Sequence, residues 1–273
     1  MTAPRQDAFL AGLGERLEDL SGVSGAQPWN PSGPRLTRRA LALWQGAGRT
    51  RVRTESLAHG DRTRWDALCE AGLAAPDGSV TRFGAELGDL LSSHDLQVRV
   101  EATDGHLAHS FVAYCRGDRA VVLATEAPGG RDRDAVPSVR EVADVASALT
   151  LDVVHRSWLP VALASWIGLA PAWSLATLPA EVPQELLQRR MDDPTVPPPA
   201  DANAHLREVW SQPWVIWTMT TNPAQGGAAM IRAGARGMFG LERDPQGGPT
   251  RLYAVPAAAA WLGLVKVVEG RAV

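Results

Sequence analysis

Lysine is almost missing from this sequence. Of 27 basic residues only Lys266 is a lysine, so positive charge rides on guanidinium groups. With the abundant Ala, Gly and Pro, that bias points to a GC-rich genome more than to a mechanism. Cysteine is scarce too. Cys69 and Cys115 are the only two and form no CxxC pair, which excludes a small disulfide framework and leaves each expected as a free buried thiol. Neither sign of charge is in excess. A formal net charge of −3 gives no polybasic footprint for nucleic acid or an anionic membrane. Long apolar runs are lacking as well. Residues 157–180, "SWLPVALASWIGLAPAWSLATLPA", come nearest to a span, but Pro160, Pro171 and Pro179 interrupt them. The start "MTAPRQDAFLAGLGERLEDL" lacks the charged-then-apolar order of a signal peptide. A cytoplasmic protein without membrane insertion is the expectation.

Catalytic signatures are absent in the same way. There is no GxGxxG, GxxxxGK[ST], GxSxG or HExxH. His106 and His109 make an HxxH, but on a strand they point to opposite faces, so a shared metal is not expected. "RDRD" at 131–134 and "MDD" at 191–193 read as solvated loops. The chain is therefore expected to be no enzyme, with no catalytic residue, no cofactor and no metal.

What is present is a 45% hydrophobic chain with 21% charged residues, enough apolar mass for a substantial core. Residues 1–33 carry a short amphipathic piece and then Gly, Ser and Pro. Helical spacing follows at Leu36–Trp44, at Thr63–Gly72 and over "TRFGAELGDLLSS", where Phe83, Leu87, Leu90 and Leu91 share the inward side. Period two then takes over in "DLQVRVEA", "HLAHSFVAYC" and "RAVVLATEA", joined by the turns "DG" and "RGD". Ser138–Leu149 returns to helical spacing behind a capping serine.

The second half repeats this grammar. Helical material fills 157–176, 181–191 and 201–211, with Trp158, Trp166 and Trp173 expected on one buried face. Strands follow at 214–221, 228–233, 236–243 and 250–255. A closing helix, Pro256–Glu269, turns Trp261, Leu264, Val265 and Val268 inward. A shift of 118 residues lays Val98 on Ile216 and Val139 on Ala257. The expected fold is α+β: two quasi-symmetric halves, 34–152 and 153–273, each a helical group plus an antiparallel strand meander plus a closing helix, behind a loose segment 1–33.

The ten tryptophans outnumber the two tyrosines and four phenylalanines together. Three fall in "EVWSQPWVIWTMTTN", residues 208–222. A stacking platform for single-stranded nucleic acid interleaves aromatics with Arg or Lys, and no basic residue lies between Val209 and Thr221. Pro213 breaks a helix there, and "VIWTMTT" favours a strand. Val215, Trp217 and Met219 then face one way, and Trp214, Ile216, Thr218 and Thr220 the other. Core packing is the expectation. One segment argues differently: residues 62–92 have the cadence of a winged helix, with Arg35, Arg38, Arg39, Arg49, Arg51, Arg53, Arg62 and Arg64 nearby. Against a DNA-binding regulator stand Glu86 and Asp89 on the same helix and the acidic chain as a whole.

The stretches "LTRRALALW", "WDALCEAGLAAPDGSVTRFGAELGDLL", "DLQVRVEATDGHLAHSFVAYCRGDRAVVLAT" and "GGAAMIRAGARGMFGLERDPQGGPTRLYAV", closed by "AWLGLVKVV", resemble the EspG family of type VII (ESX) secretion-associated proteins across roughly 35–270. The resemblance implies a cytoplasmic, non-enzymatic chaperone that keeps a helical secreted protein of PE–PPE or WxG type soluble before export. No nucleic-acid partner is implied, and the chain is expected to be a monomer or weak dimer. No compact motif carries site residues over. An adaptable apolar patch is what such a surface needs, and methionine supplies it. That selects Met219, Met230 and Met238, with Arg232 and Arg236 beside them.

Overall fold

The computed structural model describes residues 29–47, 52–105, 107–129, 148–169, 180–224, 227–244 and 247–270. Ten strands form one antiparallel sheet: β1 (Arg35–Thr37), β2 (Leu96–Thr103), β3 (Ala108–Arg116), β4 (Arg119–Ala124), β5 (Ala148–His155), β6 (Ala180–Val182), β7 (Trp214–Asn222), β8 (Gly227–Ala233), β9 (Met238–Glu242) and β10 (Thr250–Val255). Their spatial order is β1-β5-β4-β3-β2-β7-β8-β9-β10-β6. Among the described residues seven α-helices accompany them: α1 (Arg38–Ala47), α2 (His59–Glu70), α3 (Arg82–Ser92), α4 (Leu159–Ile167), α5 (Gln184–Asp192), α6 (Ala204–Ser211) and α7 (Ala257–Glu269). Mixed α+β was the expected class.

Local chemistry starts several helices. Thr37 Oγ1 accepts from Ala40 N at 3.0 Å, Thr81 Oγ1 from Gly84 N at 2.9 Å and Asn203 Oδ1 from Leu206 N at 2.8 Å. Each satisfies a donor that the first turn leaves free.

Period-two alternation sends the apolar residues of each strand to chosen faces. On one face, Leu96, Val98 and Val100 of β2, Phe111 and Ala113 of β3, Val122 of β4 and Val215, Trp217 and Met219 of β7 form a core beneath α4 and α7. On the opposite face α1–α3 cover Val121, Leu123, Leu149 and Leu151. There α5 and α6 cover Ile231, Phe239 and Leu252. β4 is covered on both sides, which explains the unbroken apolar run Ala120–Ala124.

Several expectations need correction. Leu36 lies in β1 rather than in the first helix, and Leu149 in β5 rather than at the end of one; residues 138–147 lie outside the described residues. β1 and β6, three residues each, are too short to show a period. Phe83 is 42% exposed, because the helix turns buried Gly84 inward beside Leu87 and Leu90. The 118-residue shift fails by one residue. Val98 faces α4 and α7, whereas Ile216 packs into the core on the other side. In a strand an odd slip exchanges the two faces.

The tryptophan-rich stretch is packed core. Trp210, in the last turn of α6, and Trp214, opening β7, meet edge to face at 5.1 Å between ring centroids. Their indole N–H groups donate to the Val196 and Val209 carbonyls at 2.8 and 3.0 Å. Arg190 of α5, buried, lays its guanidinium 4.5 Å from the Trp214 centroid. It also donates to the Trp210 and Gln212 carbonyls, both at 3.0 Å. Trp217 points through the sheet into the core beneath α7.

Candidate partner-binding surface

Four of the five residues singled out for partner binding share one face of the sheet. Register places Trp217 beside Met230, Met219 beside Ala228, Val215 beside Arg232 and Arg232 beside Met238. That face is the one α7 covers, which corrects the role of two of them. Met219 and Met238 are 4% and 3% exposed and fill core space, because Leu264, Val267 and Val268 of α7 lie in the same core. Met230 is half-buried at its edge. Arg232 is drawn inward, donating to the Pro128 carbonyl at 3.3 Å and the Gly168 carbonyl at 3.5 Å, and burial pushes its pKa down. Arg236, in the short turn after β8, is exposed and ion-paired with Glu208 of α6.

Four of the six large apolar side chains exposed among the described residues lie elsewhere. Trp158 is 64% exposed, Val161 42%, Trp261 36% and Leu262 58%, and all four belong to α4, α7 or the turn leading into α4. This corrects the expectation that Trp158 and Trp261 face inward; Trp166 does, and Trp173 lies outside the described residues. The physical reason is helical phase. The inner side of α4 is taken by Leu159, Leu163, Trp166 and Ile167, and that of α7 by Ala260, Leu264, Val267 and Val268.

α4 and α7 pack on each other. Arg156, just before α4, donates to the Val268 carbonyl near the end of α7 through Nε at 3.1 Å and Nη2 at 2.9 Å, so the helices run antiparallel. Asp95 holds the same guanidinium at 3.2 Å. α4 carries no charged residue at all. Its outward stripe of Val161, Ala162 and Ser165, with Trp158 at the head, borders a cleft of about 500 Å³ closed by Trp29, Asn30, Pro31 and Val154. Trp29 stands edge-on to Phe111 at 5.7 Å. A helix apolar on every side is ordinarily a buried one.

A polar cluster lies at the far end of α4. The Asp104 carboxylate accepts from Leu107 N at 3.2 Å, Gly129 N at 3.1 Å and His109 Nε2 at 3.2 Å. Burial opposes its ionisation, but the hydrogen bonds from His109 and Gly129 outweigh it and hold its pKa below the usual carboxylate value. His109, 4% exposed, points Nδ1 at the Glu126 carbonyl at 2.9 Å. His106 lies outside the described residues. No group of His, Cys, Asp or Glu able to hold a metal occurs among the described residues.

Nor does a reactive thiol stand out. Burial raises the Cys115 thiol to about 11, and burial with Asp66 and Asp77 nearby raises that of Cys69. Four of the arginines near residues 62–92 are engaged locally: Arg35 with Glu126 at 3.0 Å, Arg38 with Ser110 at 2.9 Å, Arg62 with the Thr54 carbonyl at 3.1 Å, and Arg64 with Asp61; Arg49 and Arg51 lie outside the described residues. α3 sets its apolar side, Leu87 and Leu90, into the core.

The fold and this surface can be set beside known proteins. No family model matches the chain, and no curated protein matches it in sequence. Among solved structures, it is similar to a chain in the structure of the Mycobacterium tuberculosis type VII secretion system chaperone EspG5 in complex with a PE25–PPE41 dimer. The similarity covers 87% of this chain and 96% of that one, with a TM-score of 0.50 and 14% sequence identity. At that identity the likeness is one of fold: an EspG-like α+β arrangement.

Proposed function

We propose that this protein is a cytoplasmic, non-enzymatic chaperone that binds a helical type VII secretion substrate, PE–PPE-like or WxG-type, and keeps it soluble before export. The observation that carries the reading is the exposure of Trp158 and Val161 at the head of charge-free α4 and of Trp261 and Leu262 on α7, the helix packed against it. Exposed apolar groups gathered in one place mark an interaction site. The likeness of fold to a secretion chaperone gives that site a class of partner. In this reading Met230 lies at the rim and Met219, Met238 and Arg232 support it from beneath, while Arg236, tied to Glu208 of α6, lies outside it.

The same reading takes the fold as two quasi-symmetric halves. The strand order is a palindrome about the β2–β7 seam. Each half opens on a three-residue edge strand with one buried apolar residue, Leu36 in β1 and Val182 in β6. With the boundary moved from 152/153 to beyond α4, each then runs through helices, four strands and a helix, α4 or α7, on the common face.

The test is co-expression with candidate small helical proteins encoded beside this gene. A stable one-to-one complex that Trp158→Asp with Leu262→Asp abolishes, while circular dichroism stays native, supports the proposal. Retention of the complex by the doubly substituted protein removes the surface from the argument. Absence of any complex, together with heparin retention that falls steeply with salt, would favour a DNA-binding regulator instead.

A further inference from the structure

Asp104, His109 and Arg232 come from the β2–β3 turn, β3 and β8, and they meet where α4 ends. Both ring nitrogens of His109 face acceptors: Nδ1 the Glu126 carbonyl at 2.9 Å and Nε2 the Asp104 carboxylate at 3.2 Å. A neutral imidazole has one N–H, so it can donate to only one of them; the imidazolium donates to both. The Asp104 carboxylate in turn fixes Gly129 N, in the segment that follows Glu126.

Arg232 joins this arrangement to the helix. Its guanidinium binds the Pro128 carbonyl, beside Gly129, and the Gly168 carbonyl, at the α4 C-cap. Gly168 takes φ 68°, and a Cβ there would fall 1.8 Å from Arg232 Nη1. The backbone at the end of α4 is thus shaped around this side chain.

We propose that Asp104, His109 and Arg232 form a protonation-dependent clasp that holds residues 126–129 and the end of α4 against the sheet. Proton loss from His109 removes one donor, leaving either the Glu126 carbonyl or the Asp104 carboxylate without it. The segment 126–129 then loosens, and the hold of Arg232 on Pro128 and Gly168 weakens with it. Among the described residues the charged groups that bear on His109 are few. Asp104 faces it from the β2–β3 turn, and Arg232 from β8 faces Asp104. The Glu126 carboxylate is drawn away to Arg35 of β1. Arg38 of α1 donates to Ser110, the next residue on β3, and α4 contributes no charge.

The sign follows from the groups. The second of the two His109 hydrogen bonds exists only while the ring is protonated, so that bond is lost when the proton leaves. Asp104 contributes only while ionised, so its share is lost as pH falls into the carboxylate range. The clasp is therefore closed while His109 is protonated and Asp104 ionised, and it opens when the imidazolium loses its proton.

Hydrogen exchange of the peptide spanning 163–169, corrected for intrinsic rate, reads this directly between pH 5.5 and 8.5. Wild-type protection should be lost as the pH rises across this range. His109→Gln, which carries no titrating group, should be pH-independent. Nitrogen-15 NMR of the His109 ring, on the wild type and so independent of how any variant folds, should show two protonated nitrogens at pH 5.5. A ring with one proton at pH 5.5, or the wild-type pH profile persisting in folded His109→Gln, overturns the proposal.

Discussion

Replacing Arg190 tests whether the tryptophan-rich stretch is held together or merely crowded together. Arg190 is 2% exposed and donates to the carbonyls of Trp210 and Gln212, both at 3.0 Å. These carbonyls belong to the C-terminal end of α6, where the helix leaves its last acceptors unfilled and carries partial negative charge. Arg190→Met keeps most of the volume and removes the donors. Two buried carbonyls left without partners cost about 1–3 kcal/mol each, and the lost contact with the Trp214 face adds about 1–2 kcal/mol. Against this stands the desolvation of a buried guanidinium, several kcal/mol, which the substitution recovers. The expected net loss is about 3 kcal/mol. Arg190→Ala adds a cavity and should lose about 4–5 kcal/mol.

Urea unfolding followed by tryptophan fluorescence and far-ultraviolet circular dichroism measures both variants. With a slope of roughly 2–3 kcal/mol per molar, the Arg190→Met midpoint should fall by about 1 M. Arg190→Lys should lie between it and the wild type, because an ammonium cannot both stack flat on an indole and reach two carbonyls. If Arg190→Met unfolds within about 0.5 kcal/mol of the wild type, the guanidinium is dispensable. The tryptophans would then hold the helix-to-strand junction by apolar contact alone.

Three further outcomes follow from the same structure. Trp158→Asp with Leu262→Asp should leave unfolding midpoints nearly unchanged, since surface substitutions usually stay within about 0.5 kcal/mol each, while binding of an apolar dye falls; a large loss of stability would show these side chains to be structural. Asp104→Asn should flatten the acid limb of the stability curve: with the folded pKa below the unfolded value, the carboxylate contributes above about pH 4 and loses that contribution as pH falls through its folded pKa. Native protein treated with a thiol reagent at pH 8 should react at half-buried Cys69 before buried Cys115, whose thiol is raised to about 11, and mass spectrometry of the labelled peptides would reveal the reverse order.

The parts that were legible in the sequence are those whose period is long enough to read. β2 alternates over eight residues and β7 over nine, and both stand where the alternation put them. The inner faces of α3 and α7 were nearly right, each misphased at one aromatic. Phe83 and Trp261 look like anchors by type, but the core takes Gly84 and Ala260; at Gly84 a Cβ would already fall 2.1 Å from the Leu73 carbonyl oxygen. The methionines of the second meander share one face. That the face is covered could not be read locally, since it depends on α7, which follows β10 and crosses back over β7. Arg190 and Arg232 were invisible as core residues for the same reason. Their partners are backbone carbonyls 20 to 104 residues away in sequence.

The stretch 157–180 presents the sharpest ambiguity, because one composition has two physical causes. An uncharged apolar segment is what a bilayer selects and also what a protein interface selects. Length separates them. α4 has nine residues, about 13 Å at 1.5 Å per residue, against a hydrocarbon layer of about 30 Å. No described helix is long and apolar enough to cross a membrane. The inner side of α4 is already in the core with Trp166, whose indole donates to the Thr125 carbonyl at 3.1 Å. Only the outer side is left to explain, and a charge-free outer side is costly to keep in water. Its width is one helix and its neighbour α7 lies alongside, so the cover that suits it has the dimensions of another helix laid across the pair. Proton control at the far end of α4 would then act on that cover through the position of one nine-residue element.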